Sequence, residues 1–424
     1  MRELFAMRRH GIRPALQPSR RFLGILGNPQ DNYRSLHVAG TNGKGSTTAM
    51  IASILKEAGY RTGAYYSPHV TDFRERFLLD GRFFPKREIT AALRWMGGKY
   101  VAGGNRPEFL TFFEWGTALA FCLFARAGVN AAVLETGMGG NFDATNVVTP
   151  EVSIITNVSL EHTAVLGASR KAIAAEKAGI IKRGKPVVCG DMPRPVKDVI
   201  RAIAAERKSP AFFLGEDFNI TKSGRFTAAN GAALTLVPSM AGEYQLKNAA
   251  VAAQAALLLS GGADRSVHVS PGGGNRPQPF HITGEHIERG IAKAVLPGRF
   301  EIVRAGGREI IFDVAHNPAA MKELAKLLRG KGPEFDFAIG ILSDKDYRGM
   351  LQTLAPLTRR MYCIAPDGER SIPAKMLRDA ARDAGIKAVA LSGADGIPPG
   401  GRTPLCVTGS FTTVEAVKRA LGGK

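Results

Sequence analysis

The segment His37 to Ser46, HVAGTNGKGS, surrounds one lysine with three glycines. Backbone N–H groups in a tight glycine turn can point inward together, and a following helix adds its positive dipole, so such a loop favours phosphate. Lys44 would then reach the β- and γ-phosphates of a nucleotide, and Ser46 could bind its magnesium ion. The spacing departs from the standard phosphate loop, because Gly45 separates the lysine from the serine. The segment indicates a nucleotide-binding loop, with a flexible glycine turn as the alternative.

Three further polar residues follow short apolar runs, and the position of one of them, Glu135, makes it a candidate metal ligand. Glu135 closes AAVLE directly before TGMGG, Ser67 ends a run in YYSPH, and His162 lies in SLEHT after VSIIT. Ligands gather at the carboxyl ends of strands in open α/β sheets, and magnesium prefers oxygen ligands. Glu135 is therefore the strongest candidate. Taken alone, Ser-Pro is a turn and a single histidine is as often a structural hydrogen-bonding residue.

The elements that position these residues alternate along the chain. From Ser35 to Val188, short apolar runs alternate with helix-like stretches, the rhythm of βαβ units and a mostly parallel sheet. A Gly/Pro-rich stretch, Ser270 to His286, precedes a second series that starts at EIIFDVAHN. Because 424 residues exceed the size of a single core, we expect two α/β domains. Residues 1–295 should form a P-loop-type ATPase domain with a mostly parallel sheet, and residues 296–424 a smaller Rossmann-like domain.

The composition excludes several classes of protein. The chain is 45% hydrophobic and 22% charged, typical of a folded globular protein. Its net charge of +20 could attract nucleic acid, anionic lipid or a polyanionic substrate, but lysine and arginine are scattered without a basic tail or nucleic-acid module. No apolar run reaches the roughly 20 residues of a membrane helix, and the first residues lack the apolar core of a signal peptide. We therefore expect a cytoplasmic protein without a nucleic-acid or membrane partner. The isolated cysteines should be reduced thiols; they are Cys122, Cys189, Cys363 and Cys406.

The spacing G-T-N-G-K-G-S is the form found in the Mur ligase superfamily, and the chain as a whole resembles folylpolyglutamate synthase/dihydrofolate synthase. The shared segments occur in the family's order: GNPQ, HVAGTNGKGST, YYSPHVTDFRERF, LTFFEWGTALAF, LETGMGGNFDATNVV, SLEHTAVLG, AAEKAGIIK, LPGRFE, FDVAHNPAA, SDKDY and VTGS. This resemblance implies an ATP- and magnesium-dependent ligase, commonly monomeric, that adds L-glutamate to dihydropteroate, to tetrahydrofolyl-glutamates or to both, through an acyl phosphate. The alternatives are folylpolyglutamate synthase activity alone, or a Mur-type ligase with a different carboxylate acceptor. A UDP-sugar acceptor is disfavoured, because little chain precedes the glycine loop.

The resemblance also implies roles for individual residues around the nucleotide and metals. The residues implied to bind ATP are Thr41, Asn42, Gly43, Lys44, Gly45, Ser46, Asn248, Arg299 and Asp313. Ser46, Ser67 and Glu135 would bind a first magnesium, and His162 and Lys177 a second. In the family this lysine is carbamylated, which would convert a cation into a carboxylate-like anion. Lys44, Lys177 and His316 are the implied catalytic residues. Taken alone, Lys177 could be a solvated residue of an Ala-rich helix, and Asn248 could be a helix cap.

The substrate-binding candidates rest on weaker patterns. LTFFEWGTALAF supplies aromatic faces that suit a flat heterocycle, with Phe113 and Asp143 as the chosen contacts. An aromatic residue at helical spacing is as often part of the core. Lys345 in SDKDY and Ser410 in VTGS are candidates for the carboxylates of the incoming glutamate.

Some positions depart from the commonest family pattern. They are Asn141, Glu161, Tyr244, Leu296 and Val314. None is a proposed metal ligand. Those at positions 141 and 244 lie near the substrate and nucleotide segments, so acceptor preference and adenine contacts are where this chain should differ from its relatives. The Gly/Pro-rich insertion near Gly272 has no assigned role.

Overall fold

The structure is a computed structural model that describes residues 15–104, 110–161, 163–261, 280–368, 370–398 and 400–422. The chain forms two compact units. The N-terminal unit consists of Met1–Ser67, Arg74–Ser239 and Gln245–Val295, and the C-terminal unit consists of Pro68–Phe73, Met240–Tyr244 and Leu296–Lys424. The Gly/Pro-rich insertion near Gly272 lies outside the described residues.

The described part of the N-terminal unit is built on an eight-stranded sheet in the spatial order β4-β3-β2-β5-β1-β6-β7-β8. Its strands are β1 (Arg34–Ala39), β2 (Thr62–Tyr65), β3 (Phe77–Leu79), β4 (Arg82–Phe83), β5 (Ala131–Glu135), β6 (Val152–Ile155), β7 (Val187–Cys189) and β8 (Ala211–Phe213). The strands from β2 to β8 in this order pair in parallel, and β3 and β4 form an antiparallel edge. β5 and β6 are buried throughout, since parallel sheets are covered on both faces and their strands read as continuous apolar runs. The expected mostly parallel sheet is confirmed.

The same part of the chain forms a set of helices. They are α1 (Gln17–Ile25), α2 (Lys44–Glu57), α3 (Lys86–Ala102), α4 (Phe112–Ala127), α5 (Thr163–Leu166), α6 (Arg170–Ala178), α7 (Arg194–Glu206), α8 (Glu243–Leu259) and α9 (Gly284–Lys293). α4 begins at a capping box formed by Thr111 and Glu114. α9 packs so closely on α2 that a side chain added at Gly290 would start 2.5 Å from the Ile54 backbone. The strands β9 (Asn219–Ile220), β10 (Arg225–Thr227) and β11 (Ala233–Thr235) form a separate antiparallel sheet.

The described part of the C-terminal unit contains a six-stranded sheet in the order β12-β13-β17-β14-β15-β16. Its strands are β12 (Glu301–Ala305), β13 (Arg308–Phe312), β14 (Phe335–Ile339), β15 (Thr358–Cys363), β16 (Ala388–Ala390) and β17 (Leu405–Thr408); its helices are α10 (Pro318–Lys331), α11 (Tyr347–Leu354), α12 (Ala374–Asp383) and α13 (Phe411–Gly422). All neighbours pair in parallel except β12, which is antiparallel to β13. Buried clusters lie on both sides of the sheet. The expected second α/β domain is confirmed.

Among the described residues, no helix is long and apolar enough to cross a membrane. The four cysteines are free and buried.

Candidate active site

The glycine loop connects β1 to α2 with backbone conformations that favour glycine. Gly40 has φ +151° and Gly43, the residue that caps α2, has φ +83°. A side chain at Gly40 would also start 1.9 Å from the hydroxyl oxygen of Thr156. The loop therefore lies against the chain after β6 at a distance that only a glycine permits.

Side chains after β6 hold this loop in place. Thr156 Oγ1 donates to the carbonyl of Asn42 (2.6 Å). The Asn157 side-chain amide makes two further bonds to Asn42: its Nδ2 donates to the Asn42 carbonyl, and its Oδ1 accepts from the Asn42 N–H (both 3.0 Å). The Thr41 hydroxyl accepts from Ser159 N–H (3.0 Å) and donates to the carbonyl of that serine (3.3 Å). Thr156, Asn157 and Ser159 were not candidates from the sequence. β1 and β6 are parallel neighbours, so their carboxyl ends meet and this contact becomes possible.

The first turn of α2 presents positive charge at the loop. The first helical bond runs from Thr47 N–H to the carbonyl of Gly43. The N–H groups of residues 44–46 therefore lie at the positive end of the helix dipole. The Lys44 ammonium donates to the carbonyls of Gly40 (3.0 Å) and Thr41 (3.2 Å), which keeps it beside the loop. This arrangement suits a phosphate group.

Glu135 and Ser67 come together at the same edge of the sheet. β2 and β5 are parallel neighbours, and the Glu135 carboxylate accepts from Ser67 N–H (3.2 Å). Glu135 is buried, and Thr136 N–H donates to the carbonyl of Val38 on β1, directly before the glycine loop (2.9 Å). The sequence-predicted ligands Glu135 and Ser67 are thus brought to the edge that carries the loop.

Lys177, in the last turn of α6, is only 1% exposed, so the alternative of a solvated lysine is wrong. Its Nζ donates to the carbonyl of Gly40 (2.9 Å) and to the Glu161 carboxylate (2.8 Å). The pKa of Lys177 is lowered to about 8, mainly by burial; Glu161 opposes this shift and nearby Lys44 adds to it. At this pKa roughly one amine in four is neutral at pH 7.5, and the neutral amine is the form that reacts with CO2.

The described residues at this edge offer the oxygen ligands that magnesium prefers. Ser46 and Ser67 supply hydroxyls and Glu135 supplies a carboxylate. No group of three or more His, Cys, Asp or Glu residues suited to a metal occurs in the described part of the chain. His162, the predicted ligand of a second magnesium, lies outside the described residues.

α8 contributes two buried amides to the glycine loop. Asn248 lies inside the helix rather than at its end, so the cap alternative is wrong. Its Oδ1 lies 2.5 Å from the point where a side chain at Gly43 would begin. Gln245 is fully buried and donates from Nε2 to Ser46 Oγ (3.2 Å). Sequence reasoning missed Gln245, although its position three residues before Asn248 places both on one helix face.

The two residues predicted to bind the pterin-type substrate, Phe113 and Asp143, lie near the loop that follows β5. The half-buried Phe113 ring covers Gly137, where an added side chain would start 2.5 Å from the ring, and its centroid is 6.1 Å from that of Tyr65. Asp143 is buried and accepts from the N–H groups of Gly137 (2.8 Å), Met138 (2.9 Å) and Thr145 (3.0 Å). Burial raises the pKa of Asp143, and these hydrogen bonds act in the opposite direction. In the structure Asp143 holds the loop; substrate binding by either residue stays a prediction.

In the C-terminal unit, Asp313 follows β13 and accepts from the N–H groups of Phe300 (3.0 Å) and Ala315 (2.9 Å). Burial raises the pKa of the Asp313 carboxyl, whereas the nearby Arg299 guanidinium lowers it. The structure therefore couples two sequence-predicted nucleotide residues electrostatically.

His316 and Arg299 both lie against the Phe411 ring. The His316 ring centroid is 5.7 Å from that of Phe411, and the Arg299 guanidinium carbon is 5.6 Å from it. His316 Nδ1 donates to the carbonyl of Val314 (2.8 Å), which leaves Nε2 as the basic nitrogen of a neutral ring.

Ser410 and Lys345 follow β17 and β14, which are parallel neighbours, so both lie at one edge of the C-terminal sheet. The buried Ser410 hydroxyl accepts from Thr413 N–H (3.1 Å) at the start of α13. The Lys345 ammonium pairs with Asp344 (3.1 Å). Binding of glutamate by Ser410 and Lys345 stays a prediction.

Comparison with known families defines the class. Residues 38–256 match the Mur ligase middle domain, and residues 298–396 match the Mur ligase, glutamate ligase domain. Together with two parallel α/β sheets and a phosphate-type glycine loop, these matches identify a Mur ligase.

Individual relatives narrow the class. Folylpolyglutamate synthase of Lacticaseibacillus casei is 33% identical over 95% of this chain and 93% of its own length. Dihydrofolate synthase/folylpolyglutamate synthase of Escherichia coli is 36% identical over 80% of this chain and 75% of its own. A probable bifunctional folylpolyglutamate synthase/dihydropteroate synthase of Haloferax volcanii is 36% identical over 85% of this chain, which spans only 42% of that longer relative. The chain therefore belongs to the folylpolyglutamate synthase/dihydrofolate synthase family.

Solved structures of this family share the fold. Folylpolyglutamate synthase from Thermotoga maritima has a TM-score of 0.84 at 30% identity, covering 100% of this chain and 96% of its own. E. coli FolC in complex with DHPP and ADP has a TM-score of 0.83 at 30% identity, with the same coverage. A bifunctional folylpolyglutamate synthase/dihydrofolate synthase with Mn, AMPPNP and L-glutamate bound has a TM-score of 0.80 at 31% identity, covering 98% of this chain and 96% of its own.

Proposed function

We propose that the protein is an ATP-dependent ligase that joins L-glutamate to a pterin-type carboxylate. Its acceptors are dihydropteroate, which gives dihydrofolate, and tetrahydrofolyl-glutamates, which give a longer glutamyl chain. The observation that carries this proposal is the glycine loop, held by the chain after β6 and flanked by Glu135 and Lys177, in a member of this ligase family. ATP and Mg2+ are its cofactors.

The reaction has two steps. The acceptor carboxylate attacks the γ-phosphorus of ATP; the bond to the leaving ADP oxygen breaks, and an acyl phosphate forms. The glutamate amine then attacks the acyl carbon, a proton leaves the nitrogen, and inorganic phosphate departs with the electron pair of the broken C–O bond. Positioning and neutralisation of charge do most of the work in phosphoryl transfer.

The N-terminal residues fit the first step. Lys44 and the N–H groups at the start of α2 would neutralise the transferred phosphate. Ser46, Ser67 and Glu135 would hold one magnesium ion, and Lys177, once carbamylated, a second together with His162. When bound, magnesium neutralises charge on the β- and γ-phosphates. Carbamylation is balanced: a neutral amine and CO2 give a carbamate and release one proton.

The remaining assignments are proposals at the level of single residues. Asn248, Arg299 and Asp313 bind the nucleotide, and His316 acts near the transferred phosphate. Phe113 and Asp143 contact the pterin-type acceptor, and Ser410 and Lys345 contact the incoming glutamate. In support, Arg299 and Asp313 are electrostatically coupled, and Asn248 lies against Gly43.

We further propose that the protein acts as a monomer in the cytoplasm, without a nucleic-acid or membrane partner. The scattered distribution of lysine and arginine supports the absence of a nucleic-acid or membrane partner.

The proposal is tested by supplying each acceptor separately. The purified full chain is incubated with ATP, Mg2+, L-glutamate and either dihydropteroate or tetrahydrofolate, and ADP formation and the mass of the product are measured. We expect ADP formation that requires both acceptor and glutamate, with a product heavier by one glutamyl residue. Turnover with tetrahydrofolate but not with dihydropteroate would show that the protein lacks dihydrofolate synthase activity. Turnover with neither, together with steeply salt-dependent nucleic-acid binding, would overturn the proposal.

A further inference from the structure

Two amides on α8 form a hydrogen-bonded chain that ends at a proposed metal ligand. Asn248 Nδ2 donates to Gln245 Oε1 (2.9 Å), and Gln245 Nε2 donates to Ser46 Oγ (3.2 Å). All three side chains are at most 6% exposed. Buried side-chain amides need hydrogen-bond partners. Gln245 finds one outside its own helix, at a residue 199 positions earlier in the sequence.

We propose that Gln245 is a positioning residue that fixes the side chain of Ser46 for metal binding. This inference rests on the proposed function. A hydroxyl oxygen has two lone pairs. Gln245 occupies one of them, which restricts rotation about the Cα–Cβ bond of Ser46 and leaves the second lone pair for a cation.

Asn248 supports this arrangement from the other side. Its donation to Gln245 Oε1 selects the orientation of the Gln245 amide that presents Nε2 to Ser46. The same asparagine lies against Gly43, so the glycine loop and the amide pair are positioned by one helix. Metal ligands are commonly oriented by such partners, whose loss lowers metal affinity by about 10- to 100-fold.

The test compares nucleotide binding with and without magnesium. Gln245→Met keeps the length of the side chain but cannot donate a hydrogen bond. We expect it to weaken AMPPNP binding, measured by titration calorimetry in excess Mg2+, by about tenfold or more, and to leave binding in EDTA unchanged. Gln254→Met is the matched control, because Gln254 is a buried glutamine on the same helix whose Oε1 accepts instead from Ala229 N–H. It should bind as the unsubstituted protein does in both buffers.

A double-substitution cycle separates positioning from a merely structural role. In a Ser46→Ala background, Gln245→Met should produce little further loss in Mg2+, because residues that act through one contact are not additive. If circular dichroism shows that Gln245→Met does not fold, Gln245→Asn replaces it. Asparagine keeps the polar group but is shorter by about 1.5 Å, the length of one C–C bond, and so withdraws the donor from Ser46.

Unchanged binding in Mg2+ for the folded variant, or an equal loss in Mg2+ and EDTA, would overturn the inference while leaving the ligase activity standing. If instead the unsubstituted protein bound AMPPNP no more tightly in Mg2+ than in EDTA, the proposed metal site itself would fail, and the inference with it.

Discussion

The side chain of Lys177 combines deep burial with a reactive amine. At pH 7.5 the amine of a lysine with an ordinary pKa is neutral in roughly one molecule in a thousand. With a pKa of about 8, it is neutral in roughly one molecule in four. Sequence reasoning identified this residue only through the family's motif, because a lysine on an Ala-rich helix carries no sign of burial. The contacts to Gly40 and Glu161 explain how the amine is held beside the glycine loop.

We predict a carbamate on Lys177 whose population rises from pH 6.5 to 8, because the neutral amine becomes more abundant over this range. NMR of protein equilibrated with 13C-bicarbonate should show one carbamate carbon resonance that disappears in Lys177→Arg. Lys182 is the matched control, since its pKa is also lowered to about 8, by burial first and then by Arg207 and Arg20. Persistence of the resonance in Lys177→Arg, or its loss only in Lys182→Arg, would contradict the prediction.

The buried side chain of His37 should make the free energy of unfolding depend on pH. It is fully buried, its Nε2 bonds to the Thr145 hydroxyl (2.7 Å), and burial, with a smaller effect of Lys182, lowers its pKa to about 3. Between pH 6.5 and 3 the unfolded chain binds a proton at this residue that the folded protein does not. The free energy of unfolding should therefore fall as the pH drops through this range, by up to about 1.4 kcal/mol per pH unit from this group.

Urea denaturation of His37→Gln at pH 7, 6, 5 and 4 measures this contribution. The variant should lose less stability per pH unit than the unsubstituted protein. His281→Gln, a substitution at an exposed histidine, is the control and should leave the slope unchanged. Parallel stability curves for the unsubstituted protein and His37→Gln would show that His37 does not carry the effect.

At the scale of elements, the glycine loop depends on a backbone approach that no other residue allows. Gly40 has φ +151°, and an added Cβ at this position would lie 1.9 Å from the Thr156 hydroxyl oxygen. We predict that Gly40→Ala weakens ATP binding by about tenfold or more, because either the loop or the chain after β6 must move and the preorganised phosphate-binding N–H groups are displaced.

Gly97→Ala provides the control for this substitution. Gly97 lies inside α3 with open space around it, so alanine should stabilise the protein by about 0.5–1 kcal/mol and leave nucleotide binding unchanged. Calorimetric titration and thermal unfolding measure both quantities. Wild-type affinity for ATP in Gly40→Ala would show that the close approach is not required.

The elements that could be predicted from sequence are those with local patterns. Continuous apolar runs predicted the parallel strands, and the glycine spacing predicted the loop between β1 and α2. The partners of that loop could not be predicted, because Asn157 and Gln245 contact residues 115 and 199 positions away and neither carries a periodic signal. The sequence predicts a substrate contact for Asp143, whereas its contacts in the structure are with loop N–H groups.

At the scale of the whole molecule, two short segments, 68–73 and 240–244, group with the C-terminal unit although they precede residue 296. Segments of five or six residues have no compositional signature, so sequence reasoning had no signal with which to assign them. Val70, for example, belongs to a buried cluster with Phe312 and Val407 of the C-terminal sheet. The net charge of +20 likewise belongs to the whole chain, because lysine and arginine are scattered along it and not concentrated in one motif.

The proposed function requires that the N–H groups of the glycine loop, together with Lys44 and Glu135 at one sheet edge, activate a carboxylate with consumption of ATP. The most direct measurement is the rate of ADP formation that requires both acceptor and L-glutamate, in Lys44→Ala and Glu135→Ala. Lys56→Ala, at the exposed far end of α2, is the control. We predict that each of the first two substitutions lowers this rate by about a hundredfold or more and that the control does not. ADP formation at the unsubstituted rate in either Lys44→Ala or Glu135→Ala would contradict the account.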